Sequence, residues 1–499
     1  MKEWTREELY RAVQESDREE LRQLHETIKE SPWRSDFHIQ TVTGLLNDPN
    51  GFSRFNGKWH LFYQWFPFGG VHGLKHWYHV TSDDLVTWKN EGLAMKPHLL
   101  EDNRGCYSGS GLVKGDTLYL AYTGNNKDIH WVRHPFQMLA KMDKNGKITK
   151  SQVPLIYEQK GYTEHQRDPK LFEHNGRYYI LLGAQNEQKK GVFLLFTSEE
   201  IEKGWKLLGE LKVRGYEDFG FMIECPDIEK IGDKWLLLFS PQGLEEQGDL
   251  FRNKYNNGYI IGRMDFDNLE FIPESEFCEL DRGLDFYAAQ CACQDVYPDA
   301  AIMTAWFGCG EYKTPVTDEQ GYSGLLTLPR MLKIEGNRLL QTPVPEAKKL
   351  RGNVLFEAKN GSIVRDTMHG LMPSSCIMRL EDPDSESVNL NLFSRPRKNG
   401  FMISYDKFRK TLVLDRSDMN NQFNTEFGAE RKVKLENGLK SLEIYVDRSS
   451  VEVFVNDGEY VLSARMFPEK EENLIRMGGR NIDLTVWSAV KSVEDDFVI

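Results

Sequence analysis

Asp48, Asp168 and Glu224 stand eight or nine residues before Gly57, Gly176 and Gly232, and each of those glycines opens a strand-like run. Two further runs begin at Gly115 and Asp299, and polar clusters around Ser108 and Tyr287 precede them. The runs GKWHLFYQ, GDTLYLAYTG, GRYYILLGAQ, GDKWLLLFSPQG and DAAIMTAWFG resemble one another and start 58, 61, 56 and 67 residues apart. Such a period, with several short strands in each unit, is the pattern of a β-propeller, in which one strand of every blade lines a central channel. Residues at equal phase converge on the axis, so three carboxylates from distant parts of the chain should meet in one pocket. Clustered carboxylates suit two chemistries. One is the binding of a hard cation such as Ca²⁺ through oxygen. The other is glycoside hydrolysis, where one carboxyl attacks and another donates a proton. Taken singly, Asp48-Pro49-Asn50-Gly51 is only turn chemistry; the shared phase is what argues for a site.

The elements that must hold these residues are mostly strands. The first thirty residues read as helix, with a capping-box pattern at Thr5 and Glu8, helical spacing of Leu21, Leu24 and Ile28, and a stop at Ser31-Pro32. Beyond them, strand-like runs alternate with Asn-Gly and Asp-Gly turns. The period is lost after residue 350, and Gln341 to Pro345 reads as a linker. Leu442, Ile444 and Val446, then Val451, Val453 and Val455, alternate with other residues, which predicts a sheet with one buried face. The expected fold class is all-β. A five-bladed β-propeller over 32–345 precedes a C-terminal β-sandwich over 352–499, and 1–31 forms a short N-terminal helical segment.

Composition narrows the function classes. The 499 residues carry a net charge of −13, which argues against a general nucleic-acid binder. No apolar run approaches the ~18 residues of a membrane span. The N-terminus lacks the apolar stretch of an export signal, and seven cysteines in so long a chain fit a reducing cytoplasm. Cys291 and Cys293 are spaced poorly for a metal and are expected to be buried, inert thiols. The acidic balance is compatible with a monomer or a homodimer.

The ordered motifs LLNDPNG, FYQWFPFG, YSGSG, RDP and ECPD resemble the successive signatures of glycoside hydrolase family 32, the invertase and β-fructofuranosidase family. The C-terminal LEIYVDRSSVEVFVNDGEYVLSARMFP resembles that family's sandwich signature, so the likeness runs from about residue 35 to 495. The family architecture, a five-bladed propeller and a sandwich, agrees with the repeat count. The resemblance implies that Asp48 is a nucleophile forming a covalent fructosyl-enzyme, held ionised by neighbouring donors. It implies that Glu224 is the general acid and then base, and that Asp168 grips fructose hydroxyls with Arg167 beside it. Asn47, Gln64, Tyr107, Ser108 and Trp306 match sugar contacts. A small sugar is the expected partner, and no metal or organic cofactor is required.

One departure bears on the substrate. Where many invertases carry Trp-Gly, this chain has His72-Gly73, followed by Lys75, His76 and His79. Such cationic groups could bind a phosphate on the glucosyl unit, so His72, Lys75 and His76 are expected to favour sucrose 6-phosphate over sucrose, with Arg104 as a further candidate. The same fructose pocket would serve a fructan hydrolase or a fructosyl transferase. A non-catalytic carbohydrate-binding propeller is the alternative from another class.

Overall fold

The computed structural model describes residues 2–292, 297, 299–310, 312–363, 370–381 and 387–499. Strands dominate it, and the few helices lie mostly before residue 30. Cys293 falls outside the described residues.

The N-terminal segment is not the single helix expected. α1 (Arg6–Leu9) opens with the capping box, in which Thr5 N donates to Glu8 Oε2 at 2.8 Å and Glu8 N donates to Thr5 Oγ1 at 3.2 Å. α2 (Arg18–Lys29) buries Leu21 and Ile28. Between the two, the backbone finds partners elsewhere. Leu74 N donates to Leu9 O at 2.7 Å, and Val13 N donates to His76 Nε2 at 3.2 Å. These tertiary hydrogen bonds override the weak helix propensity of the segment.

From Gly44 to Pro343 the strands pair antiparallel in successive sets of four. The first set is Gly44–Phe55, Lys58–Phe66, His76–Ser82 and Trp88–Met95. The next sets begin at Cys106–Lys114, Tyr162–His174, Met222–Ile231 and Tyr287–Cys291. The runs singled out in the sequence are the second strand of each set: Lys58–Phe66, Thr117–Lys127, Arg177–Asn186, Lys234–Gln242 and Ala301–Trp306. At the first hairpin Asn56 and Gly57 have φ of 48° and 84°, the paired positive values that a type I′ turn demands.

Apolar layers fill the space between neighbouring sets. Phe62 shares a core with Leu120, Leu139 with Leu171, Leu181 with Leu237, and Leu236 with Met303. Tyr63 and Trp65 of the first set share a core with Ile302 and Leu326. The ring closes there: Tyr322–Ser323 pairs in parallel with Gly44–Leu45, and Leu326 N donates to Ile39 O at 2.9 Å. The chain is thus an N-terminal propeller followed by a C-terminal β-sandwich.

In the sandwich, Leu442, Ile444, Val446, Val451, Val453 and Val455 share one core, as the alternation requires. The opposite face was expected to be solvated, but it is buried as well. Tyr445 and Phe454 belong to the apolar core of the propeller, and Asp447 and Glu452 are fully buried. His38 answers both carboxylates, with Nδ1 2.9 Å from Asp447 and Nε2 3.0 Å from Glu452. Arg330 Nη2 adds bonds to Glu452 at 2.7 Å and to Asp281 at 3.0 Å. A buried charge needs such partners, so the second face reads as polar in the sequence although water never reaches it.

Candidate active site

The first strand of every four-stranded set carries a bulge at one phase. Pairing skips between Leu46 and Pro49, Cys106 and Gly109, Arg167 and Lys170, Glu224 and Asp227, and Tyr287 and Gln290. Bulges bend a strand and re-aim its side chains, and they are frequent beside active sites. Asp168, Cys225 and Ala288, at three of these bulges, have φ of 67°, 45° and 53°. Non-glycine residues adopt such values at a cost that the surrounding structure must offset. The bulges converge: a void of about 10 Å³ is lined by Pro49, Ser108, Asp168, Cys225 and Ala288, one residue from each strand. That is room for about one water, so the axis is closed just below the carboxylates.

Asp48 sits in a ring of hydrogen bonds. Ser108 Oγ donates to Asp48 Oδ2 at 2.5 Å, and Asn47 Nδ2 donates to Asp48 Oδ1 at 3.0 Å. Asn47 Nδ2 also reaches Gln64 Oε1 at 2.7 Å, and Gln64 Nε2 donates to Ser108 Oγ at 2.6 Å. Glu224 is gripped on both oxygens. Arg167 donates to Oε1 through Nε at 2.9 Å and Nη2 at 2.7 Å. Gln242 Nε2 at 2.6 Å and Tyr287 OH at 2.7 Å donate to Oε2. Asp168 Oδ2 accepts from Cys225 N at 3.0 Å. The Cys225 thiol lies between two carboxylates, 3.8 Å from Asp48 Oδ2 and 3.7 Å from Asp168 Oδ2.

Crowding of like charge in a desolvated place shifts these groups. Burial raises the pKa of Asp48; the Ser108 hydroxyl and the Asn47 amide oppose the rise, and the Glu224 charge adds to it. The donors favour the ionised form of Asp48 as expected, while desolvation, the larger effect, sets the direction of the shift. Asp168 is pushed up to about 7 by burial, with Arg167 pulling it down and Glu224 and Asp48 pushing it further up. Burial raises the Cys225 thiol well above its usual range, and both neighbouring aspartates reinforce that, so it stays protonated.

Of His72, Lys75 and His76, expected to hold a phosphate, the structure buries Lys75 and His76. Lys75 is only 5% exposed, and its Nζ lies 2.6 Å from Asn47 Oδ1 and 3.1 Å from His72 Nδ1. Its pKa falls to about 7 because burial disfavours the ammonium, with Asp48 opposing that fall. His76 is buried, receiving Val13 N on Nε2 and facing Leu74 O with Nδ1 at 3.0 Å. His79 stacks on Phe62 at 4.3 Å. His72 is exposed and lies edge-on to Trp306 at 6.0 Å. Trp306 is 5% exposed, and its Nε1 has no hydrogen-bond partner among the described residues. Tyr107 is half-buried near Arg133 and Arg167.

Gln242 and Tyr287 escaped assignment from sequence, although Gln242 stands at the end of the fourth repeated strand and Gln64 near the end of the first. Gln290 also went unread; its Nε2 donates to Gly109 O at 2.7 Å and its Oε1 accepts from Phe52 N at 3.2 Å, tying three of the converging strands together. One further group among the described residues has metal-like donors: Asp227, Glu229 and Cys291. The Lys170 ammonium already occupies it, 2.6 Å from Asp227 and 2.5 Å from Glu229.

A sucrose-6-phosphate hydrolase of Staphylococcus xylosus is 37% identical over 478 residues, covering 95% of this chain and 96% of the relative. One from Bacillus subtilis is 36% identical, covering 94% of this chain and 97% of the relative. The solved sucrose-6-phosphate hydrolase of Lactobacillus gasseri superposes with a TM-score of 0.91 at 34% identity, over 98% of this chain and 100% of that one. A Bombyx mori GH32 beta-fructofuranosidase mutant in complex with sucrose superposes with a TM-score of 0.81 at 28% identity, over 97% of this chain and 100% of that one. The glycosyl hydrolases family 32 N-terminal domain matches residues 38–343 and the family's C-terminal domain matches 348–488, so the carboxylate-lined propeller and its sandwich belong to glycoside hydrolase family 32.

Proposed function

We propose that this chain hydrolyses sucrose 6-phosphate, and sucrose itself, at the fructosyl bond with retention of configuration. The observation that carries the reading is the convergence of Asp48, Asp168 and Glu224 at three strand bulges, each with its own set of donors. Asp48 attacks the anomeric carbon of the fructofuranosyl unit, and the bond to the glucosyl oxygen breaks as that oxygen takes a proton from Glu224. Water then gives a proton to Glu224 while its oxygen attacks the same carbon, releasing fructose and freeing Asp48. Glu224 is read as the acid and then the base because both of its oxygens are fixed in place, Oε1 by Arg167 and Oε2 by Gln242 and Tyr287. Asp168 meets a backbone N–H, which can only donate, and is read as the grip on fructose hydroxyls. Asn47, Gln64, Tyr107, Ser108, Arg167, Trp306 and His72 are read as lining or orienting the sugar, and Lys75 as the support of Asn47.

We read the successive four-stranded sets as five blades over residues 32–345, with the sandwich at 352–499 and the helical segment at 1–31. We read the compartment as cytoplasmic, since the six described cysteines are free thiols. No helix among the described residues is long and apolar enough to cross a membrane.

The test is kcat/KM for sucrose 6-phosphate and for sucrose with purified protein, using Asp48→Asn as the blank. Hydrolysis should fall at least ~10³-fold in the variant. Fructose should first appear as the β-anomer by NMR. Wild-type protein that cleaves neither sugar, or inversion of configuration, would sink the reading.

A further inference from the structure

Four cations gather beside the catalytic pocket, and none has a carboxylate ion-pair partner among the described residues. Arg6 comes from α1, Arg104 precedes the strand that carries Ser108, and Lys127 and Arg133 face each other across one hairpin. The turn of that hairpin presents Trp131. Arg6, Lys127 and Arg104 lie 4.6, 4.8 and 5.0 Å from its ring centre, and Tyr10 meets it edge-on at 5.2 Å. Trp131 has φ of 67°, an unusual conformation for so bulky a residue, so the hairpin is held in a shape its sequence does not favour.

The connection to the pocket runs through one imidazole nitrogen. His165 Nδ1 lies 3.0 Å from Arg167 Nη1, the arginine that grips Glu224, and 3.4 Å from Arg133 Nη1. Burial and both arginines lower the His165 pKa to about 4, so the ring is neutral and its lone pair accepts from the two guanidiniums. The neighbouring carboxylates are engaged elsewhere. Asp128 and Glu158 face His134 at 3.6 and 3.0 Å, and Glu164 faces His165 Nε2 at 3.6 Å. Arg104 Nε and Arg133 Nε are buried without a hydrogen-bond partner among the described residues. Lys127 is pushed below its usual pKa by burial and then by Arg133, Arg6 and Arg104. A partly buried group of like charges with unused donors suits an anion of more than one charge.

Resting on the hydrolase reading above, we propose that Arg104, Lys127 and Arg133, closed over by Arg6 of α1, bind the phosphate monoester of the glucosyl unit and set the preference for the phosphorylated sugar. Planar guanidiniums match phosphate oxygens two at a time, and the site adjoins Arg167 and Glu224, where the leaving sugar must lie. The N-terminal segment thereby becomes a wall of the leaving-group pocket. This gives to Arg104, a candidate from the sequence, and to the hairpin the role expected first of the His72 to His76 stretch.

The experiment compares Arg104→Gln, Lys127→Gln and the double variant with wild type on both sugars, at low and high salt, with circular dichroism to confirm folding. The double variant should lose at least about tenfold more kcat/KM on sucrose 6-phosphate than on sucrose. The wild-type preference should shrink at high salt. Arg6→Gln should shift the ratio the same way by less. A ratio unchanged in the double variant, equal losses on both sugars, or a wild type without preference would each overturn this inference and leave the hydrolase reading standing. Inorganic phosphate should compete with sucrose 6-phosphate, and more weakly in the double variant. Inhibition that is non-competitive, with the sugar ratio untouched, would assign the cations to a free phosphate and overturn the proposal. Wild-type protein inert towards both sugars would instead remove the reading on which it rests.

Discussion

Lys75 lies beneath Asn47, and its ammonium reaches the Asn47 carbonyl oxygen at 2.6 Å. Holding that oxygen turns the Asn47 amide towards Asp48 Oδ1 and Gln64 Oε1. Lys75→Met should therefore loosen the nucleophile's surroundings and lower kcat/KM on sucrose and sucrose 6-phosphate by the same factor, roughly ten- to a hundredfold. Measuring both substrates decides the matter, since a loss confined to the phosphorylated sugar would restore a direct contact with phosphate. Ser108 acts on Asp48 through charge. Its hydroxyl lowers the carboxyl pKa that burial has raised, so Ser108→Ala should raise that pKa further. A nucleophile must be ionised, so the acidic limb of the kcat/KM profile against pH should move up by about one unit. An unmoved limb would mean that Asp48 does not control it. That the sequence displayed Asp48, Asp168 and Glu224 but misplaced Lys75 has a physical cause. Carboxylates announced themselves by a repeated phase, whereas one lysine in a loop carries no mark of whether it faces solvent or a buried amide.

At the scale of elements, the propeller closes where the strand Gly44–Phe55 meets the chain returning at Tyr322–Ser323. Gly324 has φ of 94°, and a Cβ there would sit 1.9 Å from Leu46 O, backbone that cannot give way cheaply. Gly324→Ala should cost more than ~1 kcal/mol of stability, seen as a lower Tm. The folded fraction should also lose kcat, because Leu46 directly precedes Asn47 and Asp48. An unchanged Tm would show that the seam does not bear on closure. The repeated strands were legible because apolar runs and Asn-Gly turns mark hairpins. The bulges were not, since a skipped register adds no residue type to the pattern and shows only once the partner strand is known. Tyr287 fell into that gap: its phase was visible, but its bond to Glu224 depends on two bulged strands meeting at the axis. The expected N-terminal helix broke for a related reason, since the partners of Leu9 and Val13 lie more than sixty residues away in sequence.

At the scale of the whole molecule, the sandwich is held to the propeller by buried charge as well as by apolar packing. The alternation of Leu442, Ile444 and Val446 revealed one buried face, while Asp447 and Glu452 made the other look like a surface. His38 joins both carboxylates, and the strand bearing Asp48 begins a few residues further on. The pH dependence follows from the shifts. Asp447 and Glu452 raise His38 despite its burial, so its contribution is complete below its unfolded value of about 6.5 and is lost as pH rises through the raised one. Hydrogen bonds and attraction from His38 lower Asp447 to about 2, and Arg330 and His38 lower Glu452. Their contribution is present above the unfolded values near ~4 and is lost as pH falls through the lowered ones. The interface should therefore be tightest between about pH 4 and 6.5. His38→Leu leaves two carboxylates buried with one partner fewer and should cost about 3–5 kcal/mol near pH 6. Its Tm should also vary less than that of the wild type between pH 5 and pH 8, windows set by the unfolded histidine value of ~6.5. Calorimetry across that range checks both points, and equal pH dependence in the two proteins would show that His38 is not the charge that locks the domains. Should the variant stay folded, the arrangement predicts a fall in kcat as well, because the segment from Ser35 to His38 anchors the strand on which Asp48 is carried.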